Sequence, residues 1–259
     1  MRKLITLLRL ISIDFKRVFT SFRFWCAILI IWLIMSISVY NSGGLALDII
    51  ALCDLANTGS GTFLMTLCIL PTIPYSASYA SDYNAKATRQ WSIRCGITQY
   101  AASKFIVAVI SGMLTYLMSM IMFSVIASFK LPLFDSIATD ESYVQLLVDR
   151  KPMLYLCCYI VHYALSAALM TGFAFFVTTL IPNAFMATAI PVVVYFLYLR
   201  ICNFVAVPAA FNAVYIIQSI CPADTPAQTM LAKLVPVLSI LIVLCFLSIL
   251  SIRRRLMHE

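Results

Sequence analysis

Long apolar runs separated by short polar segments constrain this chain more than any other feature. The runs reach 17 residues or more, close to the roughly 20 residues that a helix needs to cross the hydrocarbon core of a bilayer. Hydrophobic residues make up 63% of the 259 residues and charged residues only 11%, too little polar surface to cover a water-soluble globule. A transmembrane barrel would need alternating strands instead of continuous runs. The sequence therefore predicts an all-α integral membrane protein, with residues 1–259 as a single domain.

Six apolar stretches are candidate membrane-spanning helices. They are Phe24–Tyr40, Thr62–Ala80, Phe105–Phe129, Met153–Ile181, Ala184–Leu199 and Leu234–Ile252. The segment 200–233 is also apolar, but it is too short for two crossings and holds three prolines, Pro208, Pro222 and Pro226. We interpret it as an outer re-entrant or interfacial segment that is sheltered by protein. A rival interpretation makes part of it a span and moves the C-terminus outside.

Basic residues are distributed unequally between the two sides of this topology. Thirteen of the eighteen Lys and Arg residues fall in the N-terminal segment, the loop between spans two and three, and the C-terminus, against five on the other side. The positive side faces the cytoplasm, so both termini are predicted to lie inside a plasma membrane. The net charge of +8 then indicates contact with anionic membrane lipid and not with nucleic acid. Cys53 and Cys221 would share the outer side, where they could form a disulfide.

Residues 1–23 have the pattern of an amphipathic helix with a basic polar face. The apolar stripe follows helical spacing and consists of Leu4, Leu8, Ile11, Phe15, Val18 and Phe22. Such a helix is typical of the headgroup layer of a membrane, and an ordinary packed helix is the alternative. The charged N-terminal segment, residues 1–23, is too long for the n-region of a cleaved signal peptide.

Two of the predicted spans carry residues that affect helix geometry. Pro71 and Pro74 lie in the second span, where each removes a backbone donor and should kink or break the helix. A hinge before the cytoplasmic loop and a static kink both fit this pattern. In the fourth span, Ala164, Ala168 and Gly172 repeat at four residues, which favours close helix packing.

The sequence carries no recognisable catalytic, cofactor or metal site. It has no GxxxxGK[ST] phosphate-binding loop, no GxSxG elbow and no HExxH motif, and its nine cysteines lack metal-ligand spacing. Proton- and sodium-coupled transporters place carboxylates at mid-membrane, and the predicted spans have none there. His162 is the only histidine in a span, and we interpret it as a hydrogen-bonded packing residue. A six-span chain without a coupling group either conducts passively or is driven by another protein.

The segment 81–104 is the longest polar interval with a helical rhythm, and it is basic. It carries Arg89, Trp91 and Arg94, and Trp and Arg are favoured anchors at protein interfaces. Contact with lipid headgroups and a place in the aromatic belt are the alternative. We interpret the segment as a cytoplasmic contact element for a separate driving protein.

The whole arrangement resembles the membrane-spanning permease subunits of type-2 ABC transporters. That family has an N-terminal amphipathic connecting helix, six spans, a coupling helix between spans two and three, and re-entrant helices before the last span. The loop motif is matched by Asp82-Tyr83, Asn84-Ala85-Lys86, Thr88-Arg89-Gln90-Trp91, Gly96-Ile97-Thr98 and Lys104. The acidic residue is Asp here, and Lys86 stands at the usual glycine position.

The resemblance implies a separate P-loop ATPase subunit that binds the cytoplasmic loop and drives export. The chain itself would then not be an enzyme and would need no cofactor. The expected ATPase contacts are Asp82, Tyr83, Lys86, Arg89, Trp91 and Arg94, with a hinge at Pro71 and Pro74. Six spans would form half of a transporter, so a homodimer or a heterodimer with a related permease is expected in a bacterial plasma membrane. The alternatives are a passive channel or uniporter without an ATPase and, third, a structural membrane anchor.

Overall fold

The described part of the chain is built from helices and contains no strand. The computed structural model describes residues 2–41, 48–58, 60–134, 143–205, 207–208, 211–218 and 225–258. The α-helices within these ranges are α1 (Arg2–Thr20), α2 (Phe22–Asn41), α3 (Ile49–Thr58), α4 (Ser60–Phe63), α5 (Ser78–Asn84), α6 (Thr88–Cys95), α7 (Ile97–Ala127), α8 (Val144–Val148), α9 (Pro152–Leu180), α10 (Ala184–Phe204) and α11 (Pro226–His258).

Five helices in the described ranges are long and apolar enough to cross a membrane: α2, α7, α9, α10 and α11. They cover the first, third, fourth, fifth and sixth predicted spans, and the chain is a multi-pass membrane protein of the all-α class. The helices α7 and α11 each begin eight residues earlier than predicted, at Ile97 and Pro226. The 31 residues of α7 correspond to about 46 Å, so part of this helix extends beyond a hydrocarbon core of about 30 Å.

The second predicted span, Thr62–Ala80, is not a continuous helix. After α4 the chain forms a π-helix at Leu64–Ile69, a 3₁₀ turn at Leu70–Thr72 and a turn before α5. Pro74 has no N–H for the carbonyl of Leu70, which accepts instead from the N–H of Ile73 at 3.2 Å. The prediction that the prolines break the helix is confirmed. The broken segment packs inside the bundle against α2, α7, α9 and α10.

The helix α9 forms the centre of the bundle, and its small-residue stripe is confirmed as a packing surface. Ala164, Ala168 and Gly172 are all buried, and a Cβ added at Gly172 would lie 2.6 Å from Leu241 of α11. The Phe105 ring of α7 packs edge-on against Phe175 of α9 at 5.8 Å. Such contacts between small residues let neighbouring helices approach closely.

The long helices α7 and α9 run in opposite directions, whereas α9 and α11 run in the same direction. On α7 and α9, Phe105 meets Phe175, while the later residue Gly112 meets the earlier residue Thr171. On α9 and α11, contacts advance together, from Ser166 with Lys233 to Thr179 with Ser251. We call the end of the bundle that holds α5 and α6 the loop end, and the opposite end the far end.

The helix α1 confirms the predicted helix in residues 1–23 but packs with a different face. Its most buried residues are Leu10, Asp14 and Val18, spaced four apart and turned toward α7. The bundle leaves two members of the predicted apolar stripe uncovered, since Leu8 is 57% exposed and Phe22 is 81% exposed. The physical reason is that α7 covers only one side of a helix that is apolar over a wider arc. Contact of this stripe with the headgroup layer stays a prediction.

The segment 200–233 is shorter than the sequence predicts, because both flanking helices extend into it. Arg200 lies in α10 and Lys233 in α11, so neither is a loop residue. Between the helices, Val214–Gln218 forms a π-helix in which Ile216 and Ile217 are each 2% exposed.

The helix α3 falls in a stretch that the sequence analysis treated as a loop, and Cys53 lies on its buried face. Burial raises the pKa of the Cys53 thiol to about 12, and its Sγ lies 3.6 Å from Ser124 Oγ. Cys221, its predicted disulfide partner, lies outside the described residues.

Candidate functional site

A buried lysine organises the loop end of the bundle. Lys104 lies two turns into α7 and is 3% exposed. Its ammonium Nζ is 3.2 Å from Asp14 Oδ1 and 3.2 Å from Asp82 Oδ2, and it donates a hydrogen bond of 2.9 Å to Tyr75 Oη. Tyr100, one turn earlier on α7, donates to the same Asp82 oxygen at 2.8 Å. We refer to these five residues as the Lys104 cluster.

The Lys104 cluster joins four separate parts of the chain. Asp14 comes from α1, Tyr75 from the turn after the broken helix, and Asp82 from α5. Tyr100 and Lys104 share one face of α7, because side chains four residues apart on a helix are neighbours. One ammonium group therefore connects the N-terminal helix, the broken segment, the 81–104 segment and a long apolar helix.

The charges of the cluster compensate one another in a place that is nearly closed to water. Asp14 is 4% exposed, and its carboxylate also lies 3.8 Å from the guanidinium of Arg17. Removing one partner of a buried ion pair leaves the other charge uncompensated, which typically costs about 3–5 kcal/mol. The Lys104 cluster therefore resists separation of α1 and α5 from α7.

The six residues predicted to contact a partner divide into two groups in the structure. Three are partly buried and contact the bundle: Asp82, Tyr83 and Trp91. Three are exposed cations: Lys86, Arg89 and Arg94. The structure therefore gives the segment an inner face that holds it to the bundle and an outer face that is basic.

The two aromatic residues of the inner face each lie beside an arginine from another helix. The guanidinium of Arg255, near the end of α11, is 5.0 Å from the ring centre of Tyr83. The guanidinium of Arg17 on α1 is 5.8 Å from the ring centre of Trp91. Cation–π contacts of this kind connect the segment to both terminal helices.

A tight turn between α5 and α6 places Lys86 in the left-handed backbone region, with φ of 56°. The N–H of Lys86 donates to the carbonyl of Tyr83, and the N–H of Ala87 donates to that of Asp82, each at 2.9 Å. This pair of hydrogen bonds is the Schellman arrangement, in which glycine usually takes the left-handed position. Lys86, which stands where the loop motif of the resembled family usually has glycine, therefore takes a backbone conformation that glycine adopts more easily.

The exposed face of α6 also carries an apolar residue that the sequence analysis did not select. Ile93 is 78% exposed and lies one turn after Arg89 and directly before Arg94. This part of the surface therefore combines two positive charges with one exposed apolar side chain. We call Arg89, Ile93 and Arg94 the α6 face.

The prolines predicted as a hinge lie next to the Lys104 cluster in the chain. Pro74 directly precedes Tyr75, and Pro71 is buried in the 3₁₀ turn before it. The break in the helix therefore places the Tyr75 hydroxyl within hydrogen-bond distance of the Lys104 ammonium. Movement at these prolines stays a prediction.

Five residues around the site were not among the predicted partner contacts, although Lys104 was named in the loop motif: Asp14, Arg17, Tyr75, Tyr100 and Lys104. Asp14 left a signal in the sequence, because it is the only acidic residue among six cations in residues 1–23. It also shares a helical face with Leu10 and Val18, which predicts burial and therefore a partner.

A second buried cation lies farther from the loop end, on α11. Lys233 is 3% exposed, and its Nζ donates to Ser166 Oγ at 2.8 Å and to the carbonyl of Tyr215 at 3.4 Å. One turn away on α9, His162 Nδ1 lies 3.2 Å from Tyr143 Oη. The prediction that His162 is a hydrogen-bonded packing residue is confirmed, since it is 1% exposed and contacts two tyrosine rings.

Comparisons with known proteins do not assign a family. No protein-family model matches the chain, and neither the curated proteins nor the solved structures gave a match. Across the described ranges, no group of three or more His, Cys, Asp or Glu residues is placed to hold a metal ion.

Proposed function

We propose that the chain is the membrane-spanning permease subunit of an ABC exporter, driven by a separate ATPase subunit that binds the α6 face. The observation that carries this proposal is the position of the Lys104 cluster directly behind that face. The α6 face is exposed and basic, while Asp82 on the neighbouring α5 is held by Lys104 together with Asp14 of α1. A partner that pushes on α6 would therefore act on three helices at once.

The broken segment is the second of six proposed crossings. At its start, Asn57 of α3 accepts a hydrogen bond from Tyr116 of α7 at 3.1 Å, and at its end Asp82 meets Lys104. Twelve residues of α7 separate Lys104 from Tyr116, which corresponds to about 18 Å along the helix. The chain between Asn57 and Asp82 thus advances by about 18 Å toward the loop end, more than half of a hydrocarbon core of about 30 Å, which supports a crossing.

The loop end is the proposed cytoplasmic side. Asp14 of α1, the 81–104 segment and Arg255 of α11 all meet there. These are the three regions that carry thirteen of the eighteen basic residues, so the contacts support the predicted orientation with both termini in the cytoplasm of a bacterial cell.

The segment between α10 and α11 is the proposed outer re-entrant element. Ile216 and Ile217 are buried, and the carbonyl of Ile216 accepts from Ser166 Oγ at 3.2 Å. Irregular backbone is tolerated at membrane depth where protein shelters it and satisfies its polar groups, and this contact is of that kind.

Six crossings supply half of a translocation pathway, so the proposed active form is a dimer of the chain with a copy of itself or with a related permease. ATP-driven closure of two ATPase subunits would displace α6 and, through the Lys104 cluster, α1 and α7. Pro71 and Pro74 would let the second crossing bend during that displacement.

The experiment that tests this function is affinity purification of the tagged chain from its native membrane in mild detergent. The native chain is expected to recover a P-loop ATPase. An Arg89→Glu/Arg94→Glu variant is expected to lose it, because the α6 face changes from basic to acidic. A Lys130→Glu/Lys151→Glu variant is the matched control, since it makes the same charge change at two exposed far-end residues.

Failure to recover an ATPase with the native chain, even after cross-linking, would refute the proposal. Ion or solute flux through the purified chain in vesicles, without ATP and unchanged by the α6 variant, would then establish the channel or uniporter alternative.

A further inference from the structure

A groove at the loop end, separate from the Lys104 cluster, runs between the last turns of α9 and α11. Its volume is about 530 Å³, and Phe176 and Leu180 of α9 line it together with Leu247, Leu250 and Arg254 of α11. This volume is typical of a pocket for a small ligand. Leu180, Leu247 and Leu250 are 50%, 40% and 44% exposed, so the apolar side chains that line the groove are accessible from outside the bundle.

The mouth of the groove is cationic. Arg254 is exposed, and Arg255 is fixed beside it, because its Nη2 donates to the carbonyl of Leu180 at 2.7 Å. The described lining contains no carboxylate, so an anion at the mouth would meet uncompensated positive charge. The hydroxyl of Ser251 donates to the carbonyl of Thr179 at 3.1 Å, and this hydrogen bond holds α11 against α9 beside the groove.

We propose that this groove binds an anionic phospholipid, with the phosphate at Arg254 and Arg255 and an acyl chain along Phe176, Leu247 and Leu250. Both helices are candidate membrane-spanning helices, so the groove opens on the bilayer, where phospholipid is the abundant molecule with this combination of chemistry. Basic pockets between membrane helices on the cytoplasmic side suit anionic headgroups.

The same site is linked to the 81–104 segment. Arg255 borders the groove and also lies 5.0 Å from the ring centre of Tyr83, the residue after Asp82 of the Lys104 cluster. A phosphate bound at Arg255 would compete with the Tyr83 ring for the guanidinium and so would affect the position of α5.

Native mass spectrometry of the full chain in detergent tests the lipid site, because it counts bound lipids and subunits together. Phosphatidylglycerol is expected to remain bound in preference to phosphatidylcholine of the same acyl chains. Arg254→Gln is expected to weaken retention of phosphatidylglycerol about fivefold, as expected for the loss of one cation near the lipid phosphate. Arg253→Gln is the matched control, since it removes a neighbouring exposed arginine that does not line the groove.

Each other outcome overturns the lipid site. Equal retention of the two lipids would remove the anion preference, and equal losses in the two arginine variants would indicate diffuse attraction without a site. Displacement of phosphatidylglycerol by glycerol phosphate at equal concentration would show that the anion alone binds.

Leu250→Trp, which fills the groove, is expected to lower lipid retention. A change in subunit number instead would make the groove an interface between copies of the chain.

Discussion

Two lysines of this chain are equally buried but differently surrounded. Lys104 and Lys233 are each 3% exposed. Lys104 has two carboxylates at 3.2 Å, whereas among the described residues the ammonium of Lys233 is hydrogen-bonded to a hydroxyl and a backbone carbonyl. A buried ammonium loses its hydration, and neutral dipoles compensate that loss less completely than opposite charges do.

The surroundings of each lysine determine what its charge contributes to the fold. At the loop end the positive charge is matched by negative charge from α1 and α5, so Lys104 holds separate elements in one arrangement. Farther along the bundle the charge of Lys233 is a cost that the surrounding packing must offset. Replacement by an apolar side chain of similar length should therefore destabilise the protein strongly at Lys104 and change its stability little at Lys233.

The largest effect is expected for Lys104→Met. The substitution keeps most of the side-chain volume but leaves the buried Asp14 with only the more distant Arg17, at 3.8 Å, and the partly buried Asp82 without its cation. The free energy of unfolding should therefore fall by about 3–5 kcal/mol. Denaturant unfolding of the purified chain in micelles measures this change. Lys86→Met is the control because Lys86 is exposed. A similar small change in both variants would mean that the cluster does not hold the loop end together.

Asp14→Asn should have the next largest effect. The amide keeps the shape of the side chain but removes its charge. Lys104 still has the Asp82 carboxylate as a partner, so we expect the free energy of unfolding to fall by only about 1.5–3 kcal/mol. A double-mutant cycle with Lys104→Met gives the coupling between the two residues. The double variant should lose clearly less than the sum of the single losses, because the same interaction is removed twice. Additive losses would contradict the proposed tie between α1 and α7.

These two residues also show why the fold was easier to predict than the site. The long helices could be predicted because each depends on a local run of apolar residues that bilayer thickness makes necessary. The Lys104 cluster joins residues up to 90 positions apart, and no local pattern pairs Asp14 with Lys104. Asp82 and Lys104 were both named in the loop motif, but their pairing was not predicted, because it depends on how α5 packs against α7.

The broken second segment is an intermediate case. The sequence predicted a break at Pro71 and Pro74, since proline removes a backbone donor wherever it lies. It did not predict the π-helix at Leu64–Ile69, which depends on packing against α9 and α10. Likewise α3 was missed because its burial under α2 and α7 compensates for a sequence that resembles a loop.

A smaller effect, of opposite sign, is expected for Lys86→Gly. Lys86 has a positive φ, which costs an L-residue about 1–2 kcal/mol relative to its ordinary backbone and costs glycine almost nothing. Glycine also loses more freedom on folding, so the net gain in unfolding free energy should be below about 1 kcal/mol. Lys86→Ala removes the same charge and keeps the strain, and it should give no gain. Equal gains in both variants would assign the effect to charge.

Lys233→Met is expected to change the unfolding free energy least, and it decides whether the comparison holds. The methionine fills most of the lysine volume and removes an ammonium that lacks a charged partner among the described residues, but it leaves Ser166 Oγ and the carbonyl of Tyr215 without their donor. The relief of desolvation and the loss of two hydrogen bonds should cancel to within about 1 kcal/mol. The same unfolding assay in micelles measures this change beside Lys104→Met. A loss as large as that of Lys104→Met would mean that Lys233 holds its helices together just as firmly. The two lysines would then differ in their bonding partners but not in how much they contribute to the free energy of unfolding.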